Sequence, residues 1–410
     1  MTMKYRILYI ILFSFCSLVI YPQLAAPAAG VVEGMSMERL ERYEDFIEKE
    51  IKEKRLPGAV SFIMRNGQVV HNKAFGYSDL LNQTPMAVDQ IFYIQSMTKL
   101  VVSTAMMMLY EEGHFLLSDP VSKYLPFFSD MKVSLDPEKG MEGGVKELDR
   151  PIVIADLFSH TAGLSHGLGN NALEQATYAA LYGKEHMDLE SRVKALVEMP
   201  MIGQPGKQWH YSAGPDVLAL LIQHFTGTNA DEFLKARLFE PLGMDDTGYN
   251  VLSANSDRVA KVHLVADEGI MTSPEQTPSS GNTVFGGTHG LFSTAKDYST
   301  FLTMLLNNGS YNGHQLLGKK TVELMTKNRI GDLYWQDGRG FGLGMAVTTD
   351  VPSTGMLGSN GDYFWSGYFC TYFIVDPIEN MTMVLMSQRF PYTDYYRTKM
   401  RQLVYQALVD

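Results

Sequence analysis

Ser96-Met97-Thr98-Lys99 places a hydroxyl and an amine three residues apart, about one helical turn. At this spacing the amine can accept the hydroxyl proton, which makes the serine a nucleophile for acyl transfer. The run from Leu100 to Tyr110 is apolar nearly all round, and Gly113 supplies a C-terminal stop. The spacing therefore predicts that Ser96 opens a buried helix and that Lys99 is its base. Burial and the helix dipole both lower the pKa of such a lysine.

Three further S-x-x-K tetrapeptides lack this context. One lies in a proline-bounded stretch, one on a charged helix, and one overlaps a capping box at Thr294. They begin at Ser129, Ser191 and Ser293. Of the four serines, only Ser96 precedes an apolar helical run, so it is the preferred candidate.

Gly163-Leu164-Ser165-His166-Gly167 offers a competing nucleophile, because it matches the G-x-S-x-G elbow. That elbow requires a strand that turns sharply into a helix. The preceding residues, 155–160, instead have a helical pattern that ends at Gly163. We therefore interpret the motif as a glycine-rich loop near the site.

Two later segments carry candidate supporting groups. In Trp209-His210-Tyr211-Ser212-Ala213-Gly214, Tyr211 could shuttle protons, since a nearby cation lowers the pKa of a phenol. The alternative is a packed tyrosine at a helix start. In Asp362–Tyr368, Gly367 allows close approach to a strand edge, and the next backbone N–H can serve an oxyanion. The alternative there is a strand with a tight entry.

Local patterns predict the elements that position these residues. Glu38–Lys54 is an amphipathic helix, and Asn66-Gly67 between two β-rich runs predicts a hairpin. Residues 95–280 are mostly helical, and the later elements are three strands and a final helix: Phe341–Thr348, Tyr368–Val375, Met381–Ser387 and Tyr395–Leu408. This order predicts an α+β fold, an antiparallel sheet built from both chain ends and flanked by helices. Residues 35–90 and 285–410 would form the sheet domain, and 91–284 an inserted, mainly helical domain.

The chain ends and the composition restrict the setting. Lys4 and Arg6, the apolar run Ile7–Ile20 and Ala26-Pro27-Ala28 predict a signal peptide over residues 1–28. The run is shorter than the ~20 residues that span a bilayer, so we expect an exported protein with no stable membrane span after cleavage. An uncleaved anchor is the alternative. Cys370 would then be the only cysteine, which excludes an internal disulfide.

The charge and the motif content exclude several partners. The net charge of −11 and the absence of basic runs argue against nucleic-acid binding. The sequence contains no H-E-x-x-H, C-x-x-C or P-loop pattern, so we expect no metal and no cofactor.

Seven blocks, in order along the chain, resemble the penicillin-recognising serine hydrolases. This superfamily includes class C beta-lactamases, D-alanyl-D-alanine peptidases, family VIII carboxylesterases and lovastatin-type acyltransferases. The blocks are SMTK, GHFLLSDPVSKYL, DLFSHTAGL, QPGKQWHYSAG, FEPLGMDDTG, GGTHGLFSTAKD and Trp365–Pro377. The resemblance implies an active site between sheet and helical domain. It also implies that Ser96 is acylated, that Lys99 is its base and Tyr211 a second proton relay, and that the N–H groups of Ser96 and Tyr368 form the oxyanion hole.

Two positions depart from the beta-lactamase and peptidase pattern. Tyr-x-Asn is replaced by Tyr211-Ser212-Ala213, which removes an amide for acylamino substrates. Lys-Thr-Gly or His-Thr-Gly is replaced by Trp365-Ser366-Gly367, which removes the cation that pairs with a carboxylate. An indole suits uncharged acyl or alcohol groups instead. Both changes resemble family VIII esterases and imply a small-molecule ester or acyl substrate at Trp365, Ser366 and Gly367.

Other functions stay open at this point. A beta-lactamase or D-alanyl-D-alanine carboxypeptidase could recruit its cation from Arg389 or a histidine. A catalytically silent binding or sensor domain is the remote alternative, although it need not keep Ser96, Lys99 and Tyr211 together. Transfer of the acyl group to an alcohol or amine is a further reaction that an esterase of this kind could perform.

Overall fold

The computed structural model describes residues 30–266 and 269–410, and its centre is an antiparallel sheet of eight strands. In space the strands run β4-β5-β6-β7-β8-β1-β2-β3, so both ends of the chain contribute to one sheet. This confirms the predicted α+β class. In chain order they are β1 (Gly58–Arg65), β2 (Gln68–Asp79), β3 (Thr84–Pro85), β4 (Arg339–Phe341), β5 (Ala346–Thr348), β6 (Tyr363–Gly367), β7 (Thr371–Asp376) and β8 (Met381–Met386).

Helices cover both faces of the sheet and fill the chain between β3 and β4. The α-helices of five or more residues are α1 (Met37–Lys52), α2 (Thr98–Glu111), α3 (Ile154–Phe158), α4 (Ala172–Tyr182), α5 (Leu189–Val197), α6 (Gly214–Thr226), α7 (Ala230–Leu234), α8 (Ala295–Leu306), α9 (Lys319–Met325) and α10 (Tyr395–Tyr405). Along β7, Phe373 packs in the core that contains α2 and α8, whereas Ile374 packs against α1 and α10. The alternation is that of a strand buried on both faces.

The hairpin between β1 and β2 forms at the predicted Asn66-Gly67. Asn66 has φ 52° and Gly67 has φ 77°, so both central residues adopt the positive values of a type I′ turn. This turn matches the right-handed twist of the strands. The helix expected over Glu38–Lys54 is also present, as α1.

Helix α2 is the buried helix that the apolar run predicts. All residues from Thr98 to Leu109 are buried, and Gly113 follows the end of the helix with φ 82°. A helix surrounded by core on every side has little freedom to shift. The turn that precedes it, which carries Ser96, therefore has a rigid base.

Two predicted strand boundaries near the site were wrong. Phe341–Thr348 is not one strand but the ends of β4 and β5, because Gly342 and Gly344 form a turn between them. Gly344 has φ 98° and lies so close to Ser103 that an added Cβ would be 2.4 Å from its hydroxyl oxygen. The strand expected from Tyr368 begins only at Thr371, since Cys370 turns the chain with φ 62°, and Tyr363–Gly367 is a strand of its own.

The predictions of export and of the domain boundaries are not tested by the fold. The predicted signal peptide, residues 1–28, lies outside the described residues, and the domain boundaries also stay a prediction. In the part of the chain that is described, no helix has the length and apolar character needed to cross a bilayer. Cys370 is buried as a free thiol.

Candidate active site

Ser96 lies on a single 3₁₀ turn, Gln95–Met97, that leads directly into α2. The turn is tight, since the Met97 N–H donates to the Ile94 carbonyl at 3.1 Å. Gln95 has φ 50°, a value that non-glycine residues rarely adopt and that costs on the order of 1–3 kcal/mol. The buried α2 holds this strained turn in place, and Ser96 stays only half-buried.

The Lys99 amine lies beside the Ser96 hydroxyl, with 3.1 Å between Nζ and Oγ. It also donates a 2.8 Å hydrogen bond to the Thr288 carbonyl. Lys99 is only 1% exposed, and this burial lowers its pKa well below the ordinary value; the Asp216 charge acts in the opposite direction and does not outweigh it. A lowered pKa favours the free amine, which is the form that can accept the Ser96 proton.

A buried ion pair is connected to Lys99 through Thr288. Asp216, on α6, accepts a 2.7 Å hydrogen bond from the Thr288 N–H and lies 2.9 Å from the guanidinium of Arg192 on α5. The carbonyl of the same Thr288 accepts the bond from Lys99. The chain Arg192–Asp216–Thr288–Lys99 therefore fixes where the amine points. Arg192, Asp216 and Thr288 were not among the site residues predicted from the sequence.

Tyr211 packs over the same lysine. Its ring centroid lies 4.5 Å from Lys99 Nζ and 5.6 Å from the ring of Trp365. The expectation that a cation would lower the pKa of Tyr211 was wrong. Burial raises that pKa, and interactions with Ser96 and Trp365 offset it only in part. Tyr211 is therefore a protonated phenol beside a lysine of low basicity.

The end of strand β6 touches the Ser96 turn through Gly367. A Cβ on Gly367 would lie 2.3 Å from the Ile94 carbonyl oxygen, so a larger residue would separate the two segments. Thr371 bridges the same contact by donating a 3.3 Å hydrogen bond to Ile94. The strand end that carries Tyr368 is thus adjacent to the turn that carries Ser96. The oxyanion role of their N–H groups stays a prediction.

Trp365 and Ser366 have distinct surroundings on β6. Trp365 stands edge-on to Phe341, with centroids 5.3 Å apart at 88°. The Ser366 hydroxyl accepts a 2.9 Å hydrogen bond from Tyr392 and a 3.0 Å bond from Arg397. Trp365 thus presents an apolar face where the related motifs have a cation. The Ser366 hydroxyl is bonded to the guanidinium of Arg397, which lies on α10.

A cavity of about 390 Å³ brings the predicted residues together. Lys99 lies behind its wall, and the wall includes the predicted Ser96, Tyr211, Trp365, Ser366, Gly367 and Tyr368. The other lining residues were not identified from the sequence: Leu168, Trp209, Tyr334, Trp335, Gln336, Tyr392, Asp394 and Arg397.

Arg397 is the most consequential of the missed residues. It lies in the first turn of α10, 2.8 Å from the carboxylate of Asp394. Arg389, the cation suggested from the sequence, does not line the cavity and donates instead to the Arg55 carbonyl at 3.0 Å. The spacing of Asp394 and Arg397 signals an ion pair on a helix, but only the docking of α10 brings that pair to the cavity.

Ser165 has a structural role. Its buried hydroxyl donates a 2.6 Å hydrogen bond to the Glu174 carboxylate and accepts a 2.8 Å bond from the Gly167 N–H. Helix α3, and not a strand, precedes the loop. The loop nevertheless reaches the cavity, through Leu168. Glu174 also lies 2.6 Å from His210 Nε2, which ties this loop to the residue before Tyr211.

The three other S-x-x-K serines do not bond to their lysines. Each hydroxyl bonds instead to a nearby group: Ser129 to the Pro126 carbonyl, Ser191 to the Asp188 carbonyl and Ser293 to the Thr247 hydroxyl. Among the described residues, Ser96 is thus the S-x-x-K serine that contacts its own lysine. No group of three His, Cys, Asp or Glu in the described chain could hold a metal ion.

Comparisons with known proteins agree with this fold. The protein is a serine hydrolase of the beta-lactamase fold. Residues 43–407 match the Beta-lactamase family, and the chain belongs to that family. Protein Rv1367c of Mycobacterium tuberculosis is 32% identical over 355 residues, covering 82% of this chain and 86% of its own.

Two further relatives have more informative names. A putative D-alanyl-D-alanine carboxypeptidase of Escherichia coli is 26% identical, with 87% of this chain and 83% of that protein covered. Esterase EstB of Burkholderia gladioli is 25% identical, with 84% and 89% covered. The solved structure of EstCE1, described as a hydrolase with promiscuous acyltransferase activity, superposes with a TM-score of 0.78 at 23% identity and covers 90% of this chain and 99% of its own.

Proposed function

We propose that this protein is a carboxylesterase that forms an acyl-enzyme on Ser96. The observation that carries the proposal is the chemistry of the cavity wall. Trp365 occupies the motif position where the resembling peptidases and beta-lactamases have a cation. Among the described residues that line the cavity, Arg397 is the only Lys or Arg, and Asp394 pairs with it. A wall without free charge suits a neutral ester.

The first half-reaction uses the low basicity of Lys99. Its free amine takes the Ser96 proton while Oγ attacks the ester carbonyl carbon, and the N–H groups of Ser96 and Tyr368 bind the resulting oxyanion. The bond to the alcohol then breaks. Tyr211 gives its proton to the departing alkoxide, and the Lys99 ammonium returns a proton to Tyr211.

Hydrolysis of the acyl-enzyme reverses these roles. A water molecule gives a proton to Lys99 and attacks the acyl carbon. Ser96 leaves with a returned proton, and the carboxylic acid is released. An alcohol in place of water would yield a new ester, so acyl transfer is a natural second reaction of the same intermediate. The description of EstCE1 as an acyltransferase supports this extension.

Arg397 is the observation that favours the alternative function. If a substrate carboxylate displaced Asp394, Arg397 could hold that carboxylate next to Ser366, as a beta-lactam or a D-alanyl peptide requires. The putative carboxypeptidase among the relatives is consistent with this alternative. Against it, Ala213 supplies no amide for an acylamino side chain.

A paired assay tests the proposal. One preparation is given short p-nitrophenyl esters and a chromogenic cephalosporin, and kcat/KM is measured for each, with Ser96→Ala as the blank. We expect the esters to be turned over much faster. Equal or faster turnover of the cephalosporin would reject the esterase in favour of the alternative.

We also propose that the protein is exported, on the basis of the signal pattern in residues 1–28. N-terminal sequencing of the protein from an expressing host tests this. Sequence beginning near Ala28 supports export with cleavage, and sequence beginning at Met1 contradicts cleavage.

A further inference from the structure

The mouth of the cavity exposes large apolar side chains. Trp335 is 66% exposed, Leu168 52% and Tyr368 44%, although all three belong to the cavity lining. Exposed apolar surface that belongs to one groove is typical of a ligand-binding site. We call these three residues the rim.

The rim is built from three separate segments of the chain. Leu168 lies on the loop that Ser165 and Glu174 anchor, and Tyr368 packs on Phe390 with centroids 5.3 Å apart. Trp335 lies between α9 and β4, 5.9 Å from the ring of Tyr334. Contacts with other segments therefore position the Leu168 loop and Tyr368, and Trp335 adds an exposed indole beside them.

An aromatic path connects the rim to the catalytic residues. Tyr334 contacts Trp209 at 4.9 Å, and Trp209 stacks on Tyr211 at 6.2 Å. The path thus runs from Tyr211, beside Ser96, outward to Trp335. One ligand that enters the cavity would touch apolar surface continuously from the reacting centre to the solvent.

We infer that the substrate is a bulky, apolar ester whose non-reacting end leaves the cavity and lies on the rim. This rests on the proposed esterase function and names its substrate class. Ligand sites of about 300–1,000 Å³ hold drug-sized molecules, and the 390 Å³ cavity is at the small end of that range. A larger ester must extend past Trp335 and Leu168. Aromatic side chains lose little conformational entropy when they bind such a group.

A lipid surface fits the rim less well. The net charge of −11 opposes approach to anionic lipids. The charged groups that line the cavity, Arg397 and Asp394, are paired with each other and add no net positive charge. A second copy of the chain would block the cavity mouth that the substrate needs.

Two ester series and two rim variants test the inference. One series varies the acyl group of p-nitrophenyl esters from acetyl to a fused-ring acyl group; the other varies the alcohol of acetate esters from ethyl to a fused-ring alcohol. The variants are Trp335→Ala and Leu168→Ala. Leu252→Ala is the control, because Leu252 is 67% exposed but lies outside the cavity.

We expect kcat/KM to rise with ester size in at least one series. In that series, each rim variant should lower the ratio of kcat/KM for the bulky ester to kcat/KM for the small ester by about 10-fold. Leu252→Ala should leave this ratio unchanged. Equal ratios in wild type and rim variants would show that the substrate does not bind on the rim, while the esterase proposal would stand. Loss of the size preference only when the protein is diluted, with a matching shift in sedimentation, would assign the rim to a second copy.

A binding measurement separates the rim from the esterase reaction. In Ser96→Ala, titration with the bulky ester should change the tryptophan fluorescence of the protein, since all three tryptophans line the cavity, and Trp335→Ala in the same background should weaken binding by about 10-fold. This result would support the rim even if turnover were absent and the esterase proposal failed. Equal affinity with and without Trp335 would overturn the rim.

Discussion

The Asp216 carboxylate accepts a 2.7 Å hydrogen bond from the N–H of Thr288, whose carbonyl holds the Lys99 amine at 2.8 Å. A buried charge thus reaches the proposed base through one peptide unit. It both positions the amine and raises its pKa against the stronger effect of burial. The pKa of Lys99 therefore depends on two opposing effects, burial and the Asp216 charge.

Asp216→Asn tests that balance. Asparagine can still accept from Thr288, but the charge that raises the Lys99 pKa is gone. Because Lys99 must lose its proton to act as a base, the acid limb of kcat/KM should move to lower pH. The pH dependence of ester kcat/KM is the measurement, and an acid limb that stays in place or moves upward would contradict this account.

The same substitution leaves Arg192 buried without a partner, which costs about 3–5 kcal/mol of stability. The double variant Arg192→Met/Asp216→Asn removes both charges and serves as the second measurement. It should be more stable than Asp216→Asn. Its acid limb of kcat/KM should still lie at lower pH than in the wild type, since Arg192 is not among the groups that shift the Lys99 pKa.

Local sequence rules predicted the elements that depend only on neighbouring residues. The Asn66-Gly67 turn forms because its backbone requirement is met by two adjacent residues, and α2 forms because its apolar run is continuous. The break between β4 and β5 was missed although Gly342 and Gly344 are close in sequence; what the sequence does not show is that Gly344 lies against Ser103 of the distant helix α2, where a Cβ would not fit.

The candidate site divides in the same way. Ser96 and Lys99 are one turn apart, so their contact follows from helix geometry alone. Arg397 reaches the cavity only because α10 docks against the sheet, and no local spacing encodes that. The direction of the Tyr211 pKa shift was likewise missed, because burial by distant segments outweighs its neighbours.

Labelling with an active-site phosphonate should distinguish the two candidate nucleophiles. We expect the label on Ser96, and Ser96→Ala should abolish both labelling and turnover, because in the described chain Ser96 supplies the serine hydroxyl that is hydrogen-bonded to Lys99. Ser165→Ala removes a hydroxyl that is bonded to Glu174 and should retain most of both. Peptide mapping by mass spectrometry locates the label, and a label on Ser165 would refute the assignment.

Tyr211→Phe should lower kcat for esters by about 100-fold and change KM much less. The phenol proton is used when the alkoxide leaves, and general acid catalysis is worth about 10²- to 10⁴-fold. Because burial raises the Tyr211 pKa, the wild-type rate should show no alkaline decline from this group near pH 9. Tyr334→Phe, a tyrosine of the same cavity, is the control; an equal loss of kcat there would argue against a specific role for Tyr211.

His71 should make the fold sensitive to acid. It is buried, its Nδ1 lies 3.4 Å from the Glu44 carboxylate, and burial lowers its pKa to about 4 despite the opposing effect of that carboxylate. The unfolded chain binds a proton below about pH 6.5. Stability is therefore complete above that pH and falls as the pH drops towards 4, by at most about 1.4 kcal/mol per pH unit.

His71→Phe removes the pH-dependent contribution of His71 to the free energy of unfolding. It keeps an aromatic ring against Phe75, on which His71 stacks. The difference in Tm between variant and wild type should be constant above pH 6.5 and should widen in favour of the variant at pH 5. Thermal unfolding followed by circular dichroism measures it, with His186→Gln as the control. A difference that does not depend on pH would show that His71 is not the sensitive group.

Asp394→Asn should move the specificity towards substrates that carry a carboxylate. Asp394 lies 2.8 Å from Arg397, and Arg397 also donates to Ser366 on the cavity wall, so the substitution leaves a cation at the cavity without its counter-ion. A charge-assisted hydrogen bond to a substrate carboxylate is worth about 1.5–3 kcal/mol, and Asp394 is partly exposed, so solvent screening reduces the gain. We expect kcat/KM for a chromogenic cephalosporin to rise about 10-fold while that for a neutral ester changes little.

Glu323→Gln is the control for this prediction. It lies on α9 and outside the cavity, removes the same charge, and should change kcat/KM for neither substrate. If Asp394→Asn leaves the cephalosporin rate unchanged, pairing with Asp394 is not what keeps Arg397 from binding carboxylates, and the charge argument for a neutral substrate fails.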